Sequence, residues 1–208
     1  MQILDVCLSG DWAGLFEQLP GWACRDGVWQ GSGGGLRAGG SPSEEQVLVG
    51  AGQDQFQIGA QGITASKHIG GDALRPVDLS IPSLIHVAIN SPLQAGSEDF
   101  ERAFRRSTGV LLPRAARYDP AEATEIEAMH CTIPGQFYLT QRYFPIEQTG
   151  LDHIGFECLD PAHVEQCQRA VQAADLEIVV PPGELDGSYL FHFRGPDGRV
   201  HDFYTVLA

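Results

Sequence analysis

The sequence predicts an α+β fold in which two βαβββ modules form an incomplete barrel around a metal. Three observations point there. The order strand, helix, three strands is plain in residues 151–208 and recurs more loosely in 81–146, and a repeat of that length is a topological signal in its own right. The first strand of each repeat carries a histidine at a matching place, His86 and His153. Turn-forming stretches, PPGELDG and GPDG, divide the later strands of the second repeat.

Residues 1–80 read differently, as a Gly-rich N-terminal extension or a degenerate module. A short strand at Gln2–Leu8 leads into a helix over Asp11–Leu19, with Asp11 as N-cap and Trp12, Leu15, Phe16 and Leu19 at helical spacing. Short strands follow near Gln46–Val49 and Gln55–Ile58. The stretch GSGGGLRAGG lacks the Lys-Ser/Thr ending of a phosphate loop, so it reads as a glycine-permitted turn.

The first module spans 81–146. Its opening strand, Ser83–Asn90, places Ile85, Val87 and Ile89 on one face and Leu84, His86, Ala88 and Asn90 on the other. A helix over Glu98–Ser107 pairs Phe100 with Phe104, and strands follow at Ala123–Cys131 and Gln136–Phe144. The second module opens with the strand Leu151–Cys158. Asp160-Pro161 then starts a helix, a good N-cap followed by proline in the first turn. Val164, Cys167, Val171 and Ala174 form its apolar stripe. Strands at Glu177–Val180, Tyr189–Arg194 and Arg199–Leu207 complete the module.

The bulk numbers set limits on function. Of 208 residues 43% are hydrophobic and 19% charged, a balance that builds a core rather than a disordered chain. A formal net charge of −14 and a pI near 4.7 oppose binding to nucleic-acid phosphates or anionic membranes. Five cysteines without a CxxC pair fit reduced thiols and a cytoplasmic protein, with Cys158 and Cys167 as small buried residues. The N-terminus has neither the basic nor the apolar region of a signal peptide, and no apolar run is long enough to span a bilayer.

His86, His153 and Asp202 form a candidate facial set of two imidazoles and one carboxylate, which leaves coordination positions open and suits non-haem Fe(II). Residues so far apart in sequence meet only if the first and last strands of a module are neighbours. His201 is the rival to Asp202, because a one-residue slip exchanges the two faces of a strand. His192 is a further site candidate, as is Tyr204, which shares Asp202's face. Glu157 shares the face of His153. His130 lies on a strand that could face the same cavity, whereas His68, His163 and Arg194 read as surface residues.

LDHIGFEC followed by GPDGRVHDFY resembles the vicinal oxygen chelate superfamily of glyoxalases, bleomycin- and fosfomycin-resistance proteins and extradiol dioxygenases. Within it, the layout of MHCTIPGQFYLTQRYFPIEQTGLDHIGFEC is most similar to the extradiol ring-cleaving dioxygenases. The resemblance implies His86, His153 and Asp202 as metal ligands, with Fe(II), or alternatively Mn(II) or another divalent ion, as cofactor. It implies a catechol-like aromatic substrate cleaved with O2, and a homodimer; His192, at the family tyrosine's place, and Tyr204, on the face of Asp202, are the candidate catalytic residues. Three positions depart from the family pattern. The family acid is usually Glu, one methylene longer than Asp202. The family acid–base histidine falls near Gln136, and the substrate-binding tyrosine falls near His192. The fourth ligand position of the glyoxalases falls near Leu139. Two alternatives therefore stand beside the dioxygenase: a metal-dependent isomerase or lyase of the same superfamily, with Glu157 as its carboxylate base, and a non-catalytic protein that binds a small aromatic ligand.

Overall fold

Alternation of apolar and polar residues makes most of the described residues strand. The computed structural model describes residues 2–41, 44–51, 54–59, 62–67, 77–90, 126–127, 138–143, 150–185 and 187–207. In chain order the elements are β1 (Gln2–Ser9), α1 (Ala13–Phe16), β2 (Ala23–Arg25), β3 (Val28–Gln30), β4 (Ser32–Gly33), β5 (Gly35–Gly40), β6 (Gln46–Ala51), β7 (Asp54–Gly59) and β8 (Gly62–Lys67). There follow β9 (Ser83–Asn90), β10 (Ile126–Glu127), β11 (Tyr138–Tyr143), β12 (Gly150–Glu157), α2 (Pro161–Ala173), β13 (Ile178–Leu185), β14 (Ser188–Arg194) and β15 (Val200–Val206).

The strands form two open sheets, in the orders β2-β3-β5-β1-β6-β7-β8 and β10-β11-β9-β12-β15-β14-β13, with β4 on the flank of β9. No barrel closes among the described residues. The sheets share a plan. In each, an early strand lies parallel to the strand that ends its unit, β1 to β5 and β12 to β15, and antiparallel to a strand of the other half, β6 or β9. One apolar core joins them. Trp12, Phe16, Trp22 and Leu36 from the N-terminal part pack with Leu84, Val87, Phe156, Phe191, Phe193 and Phe203, and α2 contributes Val164, Cys167 and Val171 to the same cluster. Asp160 caps α2 by accepting from the His163 backbone N–H, with proline in the first turn, as its sequence implies. Cys158 and Cys167 are buried with their sulfurs 3.8 Å apart. Their mutual hydrogen bond and burial push the Cys158 thiol pKa well up, so it packs as a small apolar group.

Several expectations change. The first helix covers only Ala13–Phe16, although Trp12, Leu15, Phe16 and Leu19 are all buried as its spacing suggests. The N-cap of this shorter helix is Trp12, without a side-chain cap bond, so Asp11 is not the cap; one residue further out, it accepts from the Ala13 backbone N–H at 3.0 Å. The glycine-rich stretch is not a turn but the strands β4 and β5. Its glycines provide closeness: a Cβ on Gly33 would meet the Leu84 carbonyl, and one on Gly31 would meet the Trp22 ring. PPGELDG is likewise strand for most of its length, since β13 runs to Leu185. Pro181 and Pro182 are tolerated because β13 is an edge and its register with β14 shifts between Val180 and Gly183. On β9, a register shift at Ile85 turns Leu84 to the core side with Val87, away from His86. The expected helix at Glu98–Ser107 lies outside the described residues, as does most of Ala123–Cys131.

A polar clasp ties the N-terminal part to the GPDG turn before β15. Arg199 Nη1 donates to Glu45 Oε1 at 2.9 Å and to Asp197 Oδ2 at 3.0 Å, and Nη2 pairs with Glu45 Oε2. Glu45 also accepts from the backbone and hydroxyl of Ser9. Burial opposes the charge of Asp197, but His201 and Arg199 hold its carboxyl below the usual range. Arg199→Ala leaves Glu45 and Asp197 without their shared cation. It is expected to destabilise the fold by about 2–3 kcal/mol, a buried-pair loss reduced by partial exposure. A shift in the urea midpoint measures this; an unchanged midpoint would show the clasp to be idle.

Candidate metal centre

The centre is built on one row of residues across the second sheet. β12 lies between β9 and β15, and Gly155 is in register with His86 on one side and Asp202 on the other. The row continues to Tyr138 on β11, opposite His86, and to His192 on β14, opposite Asp202. His153 shares the Gly155 face of β12, two residues earlier. The opposite faces of these strands carry Ile154, Phe156, Phe191, Phe193 and Phe203, all in the core. Core packing on one face therefore directs the polar residues to the other.

His86, His153 and Asp202 each present a ligand-capable atom, and all three atoms lie within 4.8 Å of one another. His86 Nδ1 stands 3.6 Å from Asp202 Oδ2. The His86 and His153 rings meet edge to face with centroids 5.0 Å apart. Tyr204 places its ring 5.9 Å from His86, again edge to face. Asp202 and His86 are buried, at 9% and 6% exposure. Burial raises the pKa of the Asp202 carboxyl, but His86, followed by His153 and His192, brings it below the usual carboxylate range. Asp202 Oδ1 is buried without a hydrogen-bond partner among the described residues. A buried carboxylate oxygen with no donor is costly, and a cation at this point would satisfy it. Two imidazoles and a carboxylate fit a divalent first-row metal.

Asp152 lies at a register shift of β12 and reaches back to its neighbour, its Oδ2 2.7 Å from His153 Nδ1. An imidazole held at Nδ1 has Nε2 free to bind a metal. Strict alternation puts Asp152 on the opposite face, and only the register shift of β12 brings it to the ring.

No protein-family model matches the chain, and no curated protein matches it significantly in sequence. Solved structures do match in fold. A Mn(II)-bound glyoxalase from Novosphingobium aromaticivorans aligns at TM-score 0.59 and 12% identity, over 100% of this chain and 82% of its own. The 2,3-dioxygenase LapB from Pseudomonas sp. KL28 aligns at 0.58 and 10% identity, over 100% and 92%. A catechol 2,3-dioxygenase aligns at 0.57 and 13%, over 99% and 88%. The chain has the vicinal oxygen chelate fold.

The likeness extends over residues 1–80, which sequence reading could not place. In this fold His201 does not share the face of His86, His153 and Asp202. It is fully buried on the core face, against Trp12 at a centroid distance of 5.0 Å. Its Nδ1 accepts from the Ile154 backbone N–H at 3.1 Å, so Nε2 carries the proton donated to Asp197 at 2.9 Å. The three-histidine alternative is thereby removed. Asp202 pairs with Gly155, two places after His153; the matching position in the first module, Ala88, pairs with Thr140 on β11, so the expected fourth position moves one place from Leu139 to Thr140. Glu157 is buried on the β12 face of His153 and in register with Tyr204. His163 is half-buried at the start of α2, and Arg194 pairs with Glu177 at 2.8 Å at the end of β14. His68, His130 and Gln136 lie outside the described residues. Cys7, Cys24, Cys158 and Cys167 are free. Among the described residues, no helix is long and apolar enough to cross a membrane.

Proposed function

We propose that this chain is an Fe(II)-dependent dioxygenase that cleaves a catechol-like aromatic substrate with O2, holding the metal through His86, His153 and Asp202. The observation that carries this reading is the convergence of two imidazoles and one buried, partner-short carboxylate oxygen within 4.8 Å. Two of the similar folds described above carry dioxygenase names. A ferrous ion held by such a set supplies chelation of two adjacent substrate oxygens and electron donation to dioxygen.

The chain's own groups do the rest. Asp202, His86 and His153 would hold the ion. His192, next to Asp202 in the row, accepts a substrate hydroxyl proton on a ring nitrogen and returns it later. Tyr204 closes the wall beside His86 and orients the aromatic ring by its edge. The Phe156, Phe191 and Phe203 layer beneath the sheet keeps this geometry rigid.

A second reading, a metal-dependent isomerase or lyase, is favoured by one observation: Glu157, only 2% exposed, lies on the same face as His153. A buried carboxylate there is suited to moving a proton on carbon. Mn(II) or another divalent ion would serve it equally well.

Anaerobic purification with Fe(II), metal analysis and O2 uptake on a panel of catechols test the proposal. The expected result is one metal per chain, lost in His153→Ala, with O2 consumed and a coloured ring-opened acid formed. Metal without O2 uptake would move the assignment to the isomerase or lyase class. An absence of metal in the wild type would leave a binding protein on this fold. Asp152→Ala is expected to weaken divalent-metal affinity about 10–100-fold, the usual effect of losing a group that orients a ligand. Titration of the metal-free protein with Co(II) measures it, and unchanged affinity would show that Asp152 does not set the His153 ring.

A further inference from the structure

Gly155 has no conformational reason to be glycine. It lies in the interior of β12, paired on both sides, and it is not among the glycines with positive φ. An alanine there is allowed by the backbone. Space forbids it. A Cβ built on Gly155 would overlap Asp202 Oδ1, stand 2.5 Å from His86 Nδ1 and stand 2.9 Å from His86 Cβ. Two of these three atoms, Asp202 Oδ1 and His86 Nδ1, are candidate ligand atoms of the two flanking strands, and the oxygen is the one without a hydrogen-bond partner among the described residues.

Neighbouring strands stand about 4.8 Å apart, so His86 and Asp202, on either side of β12, start roughly twice that distance from each other. Their side chains nevertheless close to 3.6 Å. They do so by leaning over the strand between them, which needs a position with no side chain.

We propose that Gly155 is a positioning residue for the metal centre: its bare Cα is the gap through which His86 and Asp202 converge on one ion. This rests on the ligand set proposed above and adds a residue that donates nothing to the metal. A methyl group at 155 pushes the imidazole and the carboxylate apart. Rotation about χ relieves the contacts with the imidazole and the carboxylate in the metal-free protein, and the 2.9 Å contact with His86 Cβ needs a small backbone shift with or without metal. In the metal-bound protein that rotation is blocked, because the ion holds both groups in place. The penalty therefore falls on binding more than on folding.

Gly155→Ala is compared with wild type and with Gly183→Ala, a strand glycine whose added Cβ meets nothing within 4 Å. Affinity for Co(II), the visible spectrum of the Co(II) form and the metal-induced rise in melting temperature are measured on each. Gly155→Ala is expected to lose about tenfold or more in affinity, with an altered Co(II) spectrum and a smaller metal-induced rise. Gly183→Ala is expected to match wild type. Affinity and spectrum unchanged in Gly155→Ala, while wild type binds Co(II), would overturn the role of Gly155 and leave the ligand set standing. No Co(II) binding by wild type would overturn the ligand set itself. Should Gly155→Ala also weaken the metal-free protein, its cost is expected to shrink in an Asp202→Ala background, where the obstructed oxygen is gone. An equal cost in both backgrounds would place the conflict elsewhere and contradict the proposal.

Discussion

The position of β12, antiparallel to β9 and parallel to β15, is the constraint on which the rest depends. It puts His86, Gly155, Asp202 and His192 in one line across the sheet, with His153 two residues along on the same face. The core sets this register. Phe203 stacks between Phe156 and Phe191, at centroid distances of 4.8 and 5.4 Å. Slipping β15 by one residue would bury Asp202 among those rings and turn Phe203 to the cavity, which is unfavourable on both faces. Hydrophobic packing on one face thus determines the chemistry on the other.

His201 shows the same logic from the reverse side. It is adjacent to Asp202 in sequence yet serves the opposite face, where it links the Ile154 backbone to Asp197 and packs on Trp12. Asp197 in turn meets Arg199, and Arg199 meets Glu45 of the N-terminal part. The first sheet is therefore coupled to the strand that carries Asp202. Its strand order, with β1 between a parallel and an antiparallel partner, repeats that of β12.

Much of this was legible in the chain. The period-2 patterns around His86, His153 and Asp202 placed all three on strands, and the matching histidines of two repeated units indicated that they would meet. The Asp160-Pro161 start of α2 followed from capping chemistry alone. What escaped were departures from strict alternation. The register shifts at Ile85 and Asp152 depend on how β9 and β12 are paired, which no single strand reveals. The glycine-rich stretch looked like a turn because glycine is ordinarily a turn signal; here Gly31, Gly33 and Gly34 let Trp22, Leu84 and Ile3 approach the backbone. Gly155 carried a readable signal, a glycine in a strand interior, which commonly marks a close approach. The partner that approaches was visible only in three dimensions.

X-ray absorption at the metal edge of the Fe(II)- or Co(II)-loaded protein tests the central claim most directly, because it counts the ligands around the ion. Two imidazoles with oxygen donors completing the shell, one of the imidazoles lost in His86→Ala and unchanged in His201→Asn, is the result predicted here. Three imidazoles, or a shell indifferent to His86, would contradict the row of residues on which this account is built.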